Sequence, residues 1–316
     1  MSITNLIKQN REKIYTIVLL ALPLVLLISA FIFSKVPDEI IEEISEPIAP
    51  EILNPFDDIE TVAKAVIVKD LNTGEIIYAK NSGKVLPLAS ITKVLTALTV
   101  KEISTSKIAS ITLRDLALDG NNFLFPGEVF DQDDLINFTL VGSSNDGSSA
   151  LASSASTIPY NKDSFIAEMN SLAQKIGMLN SIFHNESGLD LQDNVISGAD
   201  GTARDIAELF EYVLVNNPEL LESTTKSSVT VYSFNGISHK IDNTNQEVGN
   251  LPNALASKTG FTDLAGGNLA VVIDPGLNRP IVIVVLGSTK DARFEDVELL
   301  SEKVSQYFSY KRQGDF

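Results

Sequence analysis

Residues 86–98 read LPLASITKVLTAL, and the fold turns on how that run is read. Pro87 punctuates the chain, since its fixed φ and missing N–H suit neither a strand interior nor a helix interior. From Ser90 onward the apolar residues recur at helical spacing, which predicts a helix over 90–103. Ser90 opens it, and Lys93 lies three residues on, on the same face, where its amine can approach the serine hydroxyl. A serine at a helix start ordinarily caps the helix. In the chemical reading a neutral lysine takes the serine proton, which needs a lysine pKa depressed by burial and by a second cation. The S-x-x-K pattern does not decide between them, because Ser104-Thr105-Ser106-Lys107 and Ser223-Thr224-Thr225-Lys226 repeat it.

Upstream, residues 64–71 (KAVIVKDL) and 74–80 (GEIIYAK) alternate around Asn72-Thr73-Gly74, which predicts a hairpin. Downstream, helices are predicted over 131–140, 146–155, 161–177 and 202–215, the last opened by a capping box at Thr202 and Asp205. The pattern then returns to strands at 228–234, 254–261, 267–274 and 280–287, and an amphipathic helix closes the chain over 290–310. Strands, a helical block, strands and a helix make an α+β layout, with a mainly antiparallel sheet built from both chain ends.

Two further motifs carry chemistry. Ser143-Ser144-Asn145 falls between two predicted helices, where capping is the plainer explanation, and a second S-x-N occurs at Ser233-Phe234-Asn235. Lys258-Thr259-Gly260 lies on a predicted strand. Glycine there either marks a strand end with a turn or lets a ligand backbone lie close, in which case lysine and threonine offer donors to a carboxylate.

S-x-x-K at a helix start, S-x-N between helices and K-T-G on a late strand fit one known arrangement. The chain resembles the serine penicillin-recognising enzymes over roughly residues 60–310, and within them the low-molecular-mass D-alanyl-D-alanine carboxypeptidases, relatives of the class A β-lactamases. The flanks AVIVKDLNTGEIIYAKN, SSNDGSSALA, NESGLD, TARDIAELF, NTN and SKTGFTDLAGG carry the likeness beyond the three motifs and single out Ser90 over the repeated copies. The middle residue of S-x-N, Ser144, departs from the Gly or Asp common in those families, and neither a second β-rich domain nor a C-terminal amphipathic anchor is legible.

The resemblance implies a β-lactamase/transpeptidase-like fold and a serine acyl-enzyme. It makes Ser90 the nucleophile, Lys93 the general base and Ser143 a proton relay. Asn145 is expected to hold the substrate amide, Lys258 and Thr259 the terminal carboxylate, and Gly260 to admit the substrate as an added strand. The N–H groups of Ser90 and Phe261 are expected to form the oxyanion hole. No metal or cofactor is required. The expected substrate is a peptidoglycan stem peptide ending in D-Ala-D-Ala, with β-lactams as covalent inhibitors. A D,D-endopeptidase of crosslinks uses the same residues. A β-lactamase is disfavoured because no E-x-x-L-N pattern lies between Asn145 and Lys258; Glu211 to Asn216 comes nearest, one residue out of register. A non-catalytic wall-binding module has no need for Lys93.

Composition bounds the same answer. The chain has 316 residues, 24 Lys+Arg against 41 Asp+Glu, a formal charge of -17, no Cys and two His. The acidic balance argues against a nucleic-acid partner. Without cysteine there are no disulfides, thiolate metal sites or cysteine nucleophiles, and His184 and His239 are too few for a multi-histidine metal site. Residues 14–33 run IYTIVLLALPLVLLISAFIF without a charge, long enough as a helix to span a bilayer. Lys8, Arg11 and Lys13 precede this run and acids dominate after Lys35, which sets the N-terminus in the cytoplasm and the rest on the extracytoplasmic face. A cleaved signal peptide is the rival, although FIFSKVP lacks a small-residue cleavage site. The expected organisation is a cytoplasmic segment 1–13, a transmembrane helix 14–34, an acidic proline-containing stalk 35–60, a catalytic domain 61–310 and a tail 311–316.

Overall fold

The computed structural model describes Pro23 and residues 54–117, 123–155, 161–192, 194–276 and 278–313. The expected membrane helix, apart from Pro23, and most of the expected stalk lie outside the described residues. Among the described residues no helix is long and apolar enough to cross a membrane.

The hairpin of β1 (Ala65–Asp70) and β2 (Ile76–Lys80) forms as its alternation predicts. Asp70 builds the turn: its Oδ1 accepts from the N–H groups of Asn72 and Thr73, and its carbonyl accepts from Gly74 at φ +74°. A short β3 (Leu86–Pro87) leads through a 3₁₀ turn (Ala89–Ile91) into α1 (Thr92–Ile103). A small hairpin, β4 (Ile108–Ser110) with β5 (Val129–Asp131), precedes the helical block α2 (Gln132–Gly142), α3 (Asn145–Ala155) and α4 (Lys162–Lys175). Next come β6 (Ile182–Phe183), β7 (Ala199–Gly201), α5 (Ala203–Asn216) and a one-turn α6 (Glu219–Glu222). Half of the expected capping box forms: Thr202 Oγ1 accepts from Asp205 N at 3.0 Å, while Asp205 Oδ2 turns to Asn180 N and Ser181 Oγ, each at 2.8 Å. The hairpin of β8 (Ser228–Tyr232) and β9 (Ser238–Asp242) then gives way to β10 (Ala254–Thr262), β11 (Gly266–Ile273), β12 (Ile281–Ser288) and α7 (Ala292–Gln313).

The main sheet is antiparallel, in the order β10-β11-β12-β1-β2, so the first strand pairs with the last. Its central strands are buried on both faces, and the two-residue period sorts their side chains into two cores. Val282, Val284 and Leu286 join Ala65 and Ile67 against the helical block. Ile281, Ile283 and Val285 join Val66 and Val68 against Val297, Leu300 and Val304 of α7. Truncating Ile67, Ile281, Ile283 or Leu286 to alanine costs about 2–5 kcal/mol.

Several expectations need correction. Phe56, placed in the stalk by sequence, is buried and stacks on Tyr78 at 5.3 Å with Tyr307 edge-on at 6.3 Å, so the packed unit begins before residue 61. The last helix runs to Gln313, past the expected end at 310. The strands β3, β4, β5, β6 and β7 were not expected, because two or three residues are too few to show alternation. β9 was missed because its sequence, SHKID, is largely polar and its role is to pair with β8.

Candidate active site

The site is assembled around a strained turn. Ala89 sits at φ +50°, a region that costs a non-glycine residue about 1 kcal/mol or more. Its surroundings enforce the conformation. Asn268 on β11 donates to the carbonyls of Pro87 and Leu88 at 2.9 and 3.0 Å. Leu88 N donates to Ala199 O of β7 at 2.8 Å. Gly188, at φ +77°, lies so close that a Cβ there would overlap the Ala89 carbonyl oxygen. Neither the 3₁₀ turn nor α1 has a side-chain cap, so the Ser90 hydroxyl is not the capping group a helix-start serine usually is. Lys93 Nζ stands 2.9 Å from Ser90 Oγ.

Lys93 is fully buried. Its Nζ also donates to Asn145 Oδ1 and to the Ser187 carbonyl, each at 2.7 Å. Burial pushes its pKa down to about 7, with the Glu186 carboxylate opposing the shift. A neutral amine is therefore accessible near neutrality. The Ser187 carbonyl is presented by the NESGLD segment, which Asn185 braces by accepting from Ser187 N, Ser187 Oγ and Gly188 N.

Ser143 closes α2 in the left-handed conformation, φ +58°, and its Oγ accepts from Lys258 Nζ at 2.9 Å. Lys258 is 1% exposed and also donates to the Thr259 carbonyl at 2.9 Å. Burial, then the neighbouring cations Lys93 and Arg293, hold the Lys258 pKa well below the usual lysine range. The depressing second cation expected for Lys93 thus acts on Lys258, while burial alone leads for Lys93. Thr259 Oγ1 shares a 2.6 Å hydrogen bond with Thr244 Oγ1 of the NTN segment. Gly260 lets β10 press on the nucleophile turn: a Cβ there would sit 2.9 Å from Leu88 O and 3.2 Å from Ser90 N. The Phe261 ring is 43% exposed and turned outward, with Lys290 Nζ 5.5 Å from its centroid.

The structure therefore brings Ser90, Lys93, Ser143, Asn145, Lys258 and Gly260 together. The repeated motifs stay apart from this cluster. Ser104 caps the end of α1 and its Oγ accepts from Ser106 N and Gln132 Nε2. Thr224, in the other copy, accepts from Ser257 N and so braces β10. Asn235 accepts from Val129 N at the β8–β9 turn. Sequence reasoning did not find Arg293, which is buried and donates to Gly260 O at 2.8 Å, because it reads as one more residue of an amphipathic helix. Nor did it assign Glu186, Asn185 or Ser187, although NESGLD was visible as a motif flank. Among the described residues no three His, Asp or Glu side chains gather as metal ligands. His239 is engaged elsewhere, 2.8 Å from Glu128 and ringed by Phe125, Phe130 and Phe138.

Comparison with known proteins gives concordant results. The family model described as Peptidase S11, D-alanyl-D-alanine carboxypeptidase, matches residues 54–290. A D-alanyl-D-alanine endopeptidase of Pseudomonas aeruginosa is 31% identical over 237 residues, covering 72% of each chain. The D-alanyl-D-alanine carboxypeptidase DacF of Bacillus subtilis is 29% identical over 79% of this chain, and this chain spans 65% of its length. Among solved structures, a D-alanyl-D-alanine carboxypeptidase from Mycobacterium tuberculosis superposes with a TM-score of 0.69 at 25% identity, covering 78% of this chain and 92% of that one. A penicillin-binding protein from Listeria monocytogenes in its ampicillin-bound form gives 0.64 at 28% identity, with 78% and 98% covered.

Proposed function

Because the chain belongs to the peptidase S11 family, and so is a serine hydrolase of D-alanyl-D-alanine bonds, we propose that it is a membrane-anchored D,D-carboxypeptidase removing the terminal D-Ala of peptidoglycan stem peptides. The observation that carries this reading is the buried Lys93 amine 2.9 Å from the Ser90 hydroxyl, with a pKa brought down to about 7.

In this mechanism the substrate lies along β10, the strand that Gly260 allows to press against the nucleophile turn. Its carboxylate is drawn to the Thr259 hydroxyl and to the positive charge of Lys258 and Arg293. Lys93 Nζ takes the Ser90 proton as Oγ bonds to the carbonyl carbon and the carbonyl π electrons move to oxygen. The N–H groups of Ser90 and Phe261 receive that oxyanion, a role for which removing one donor costs about 3–4 kcal/mol in a well-studied protease. Asn145 holds the substrate amide and orients Lys93. As the tetrahedral carbon collapses, the C–N bond breaks and D-Ala leaves with a proton relayed through Ser143, beside Lys258. Water then attacks the ester, and the proton it loses returns to Ser90. A β-lactam enters the same first step and stays bound as an ester, as the ampicillin-bound form of the Listeria relative suggests.

The Pseudomonas relative's name, an endopeptidase, favours crosslink cleavage as a second reading. Anchoring through residues 14–34 with the catalytic domain on the extracytoplasmic face is supported by the uncharged run and its basic leading flank. The test is mass spectrometry of defined muropeptides incubated with the protein. Loss of one D-Ala from pentapeptides supports the carboxypeptidase, conversion of crosslinked dimers to monomers supports the endopeptidase, and unchanged muropeptides defeat both.

A further inference from the structure

Glu186 is a buried carboxylate that the mechanism above does not use. It is 2% exposed and belongs to the segment that presents the Ser187 carbonyl to Lys93. Its own carbonyl accepts from Thr96 Oγ1 at 2.7 Å, fixing the residue against α1 less than one turn beyond Lys93. Its ionic partner among the described residues is Lys162 at the start of α4, a side chain 40% exposed. That pairing is incomplete. Lys162 Nζ reaches Oε1 at 3.3 Å with hydrogen-bond geometry and lies 3.0 Å from Oε2 without it, leaving Oε2 buried and without a hydrogen bond. A buried carboxylate oxygen with spare capacity is costly to keep unless a nearby charge compensates it.

Lys162 supplies one such charge, and Lys93 supplies a second when it takes a proton. Around the Lys93 amine the hydrogen-bonding groups are neutral: Ser90 Oγ, Asn145 Oδ1 and the Ser187 carbonyl. Two further cations lie in the site, Lys258 and, at the start of α7, Arg293, the latter beside Asp291. Taking the Ser90 proton therefore creates an ammonium in a buried site already rich in positive charge. We propose that Glu186 is a positioning residue that acts through Lys93, its carboxylate stabilising the ammonium formed as the proton leaves Ser90, with Lys162 moderating that field. The coulombic lift that Glu186 gives Lys93 agrees with this assignment.

The inference rests on the Ser90–Lys93 acylation chemistry, and its test is read on that step alone. The second-order rate of acylation by a fluorescent penicillin is measured against pH on the full chain. In the wild type the rate falls at acid pH as Lys93 becomes protonated. Glu186→Gln removes the carboxylate that favours the ammonium, so the acidic limb should move to lower pH, while the plateau drops about tenfold because Lys93 is a weaker base. Lys162→Ala leaves Glu186 less neutralised, so the limb should move the opposite way, to higher pH. Glu186→Asp should restore part of the Glu186→Gln change. A merely structural role would lower the rate or the melting temperature without moving the limb, and an unmoved limb in Glu186→Gln overturns the proposal. If Glu186→Gln does not fold, Lys162→Ala decides by the same criterion. A wild type that is never labelled on Ser90 defeats the acylation reading itself, an outcome distinct from a labelled wild type whose limb ignores Glu186.

Discussion

Removing the Ser90 hydroxyl should abolish covalent labelling by a fluorescent penicillin, while Ser104→Ala and Ser223→Ala should leave it intact, since those serines sit at a helix end and beside a strand brace. Intact-protein mass after mixing with benzylpenicillin should show an adduct persisting for many minutes. Glu211, the nearest match to a β-lactamase deacylating base, is instead held 2.6 Å from Lys69 Nζ on β1; turnover at tens per second with no adduct would contradict this reading. A second residue-scale prediction concerns Lys93→Met. Lys93 has a folded-state pKa of about 7 against 10.5 in the unfolded chain. Between those pH values only the unfolded state holds the proton, so the lysine's cost to stability is full below about pH 7 and fades as pH rises towards 10.5. The variant should therefore lose acylation yet gain about 1–4 kcal/mol at neutral pH. Urea denaturation at pH 7 and pH 10 checks this, and a gain that does not shrink at the higher pH would count against it. The pairing of Ser90 with Lys93 was legible from the i, i+3 spacing. Arg293 was not, because nothing in a helical pattern marks the residue that will face a strand from another part of the chain.

At the scale of elements, β10 is positioned by groups that do no chemistry themselves. Thr224 Oγ1 accepts from Ser257 N at 3.0 Å, and Asn245 Nδ2 donates to Ser257 Oγ at 2.7 Å, one residue before Lys258. Thr224→Ala leaves the buried Ser257 N–H without its partner, so it should cost about 1–3 kcal/mol in urea denaturation. It should also slow acylation, because Lys258 and Gly260 ride on the same strand. Unchanged stability would mean that β10 is held by its pairing to β11 alone. The long elements were readable from periodicity: α1, α2, α5 and the strands β10, β11 and β12 fall within about two residues of expectation. The small sheet of β3, β7 and β6 was not, although it anchors the residue before the nucleophile turn. Its strands are two or three residues long and exist because distant segments meet, which no local window records.

Across the whole molecule, the two ends of the catalytic unit are tied together. Asp296, in α7, accepts from Val62 N at 2.8 Å, Ala63 N at 3.0 Å and Ser288 Oγ at 2.7 Å. Asp296→Ala strands those donors and should lower stability by about 2–4 kcal/mol, read as a shift in the urea midpoint with an unchanged slope. A loss below 0.5 kcal/mol would mean that the β1–β12 pairing needs no such clasp. The mixed α+β layout was legible because both ends of the sequence carry strand patterns, whereas the start of the packed unit was not. Phe56 sits among acids and prolines, and only its burial beside Tyr78 and Tyr307 shows that it belongs to the core. The partnership of first and last strands also sets a clock on biosynthesis. Ala65 pairs with Leu286, so β1 waits for a partner made more than 200 residues later. At about 5–20 residues per second that is an interval of roughly 10–40 s. Throughout it β1 lacks the neighbour that places it in the centre of the sheet, so the order β10-β11-β12-β1-β2 can close only once the last strand has been made.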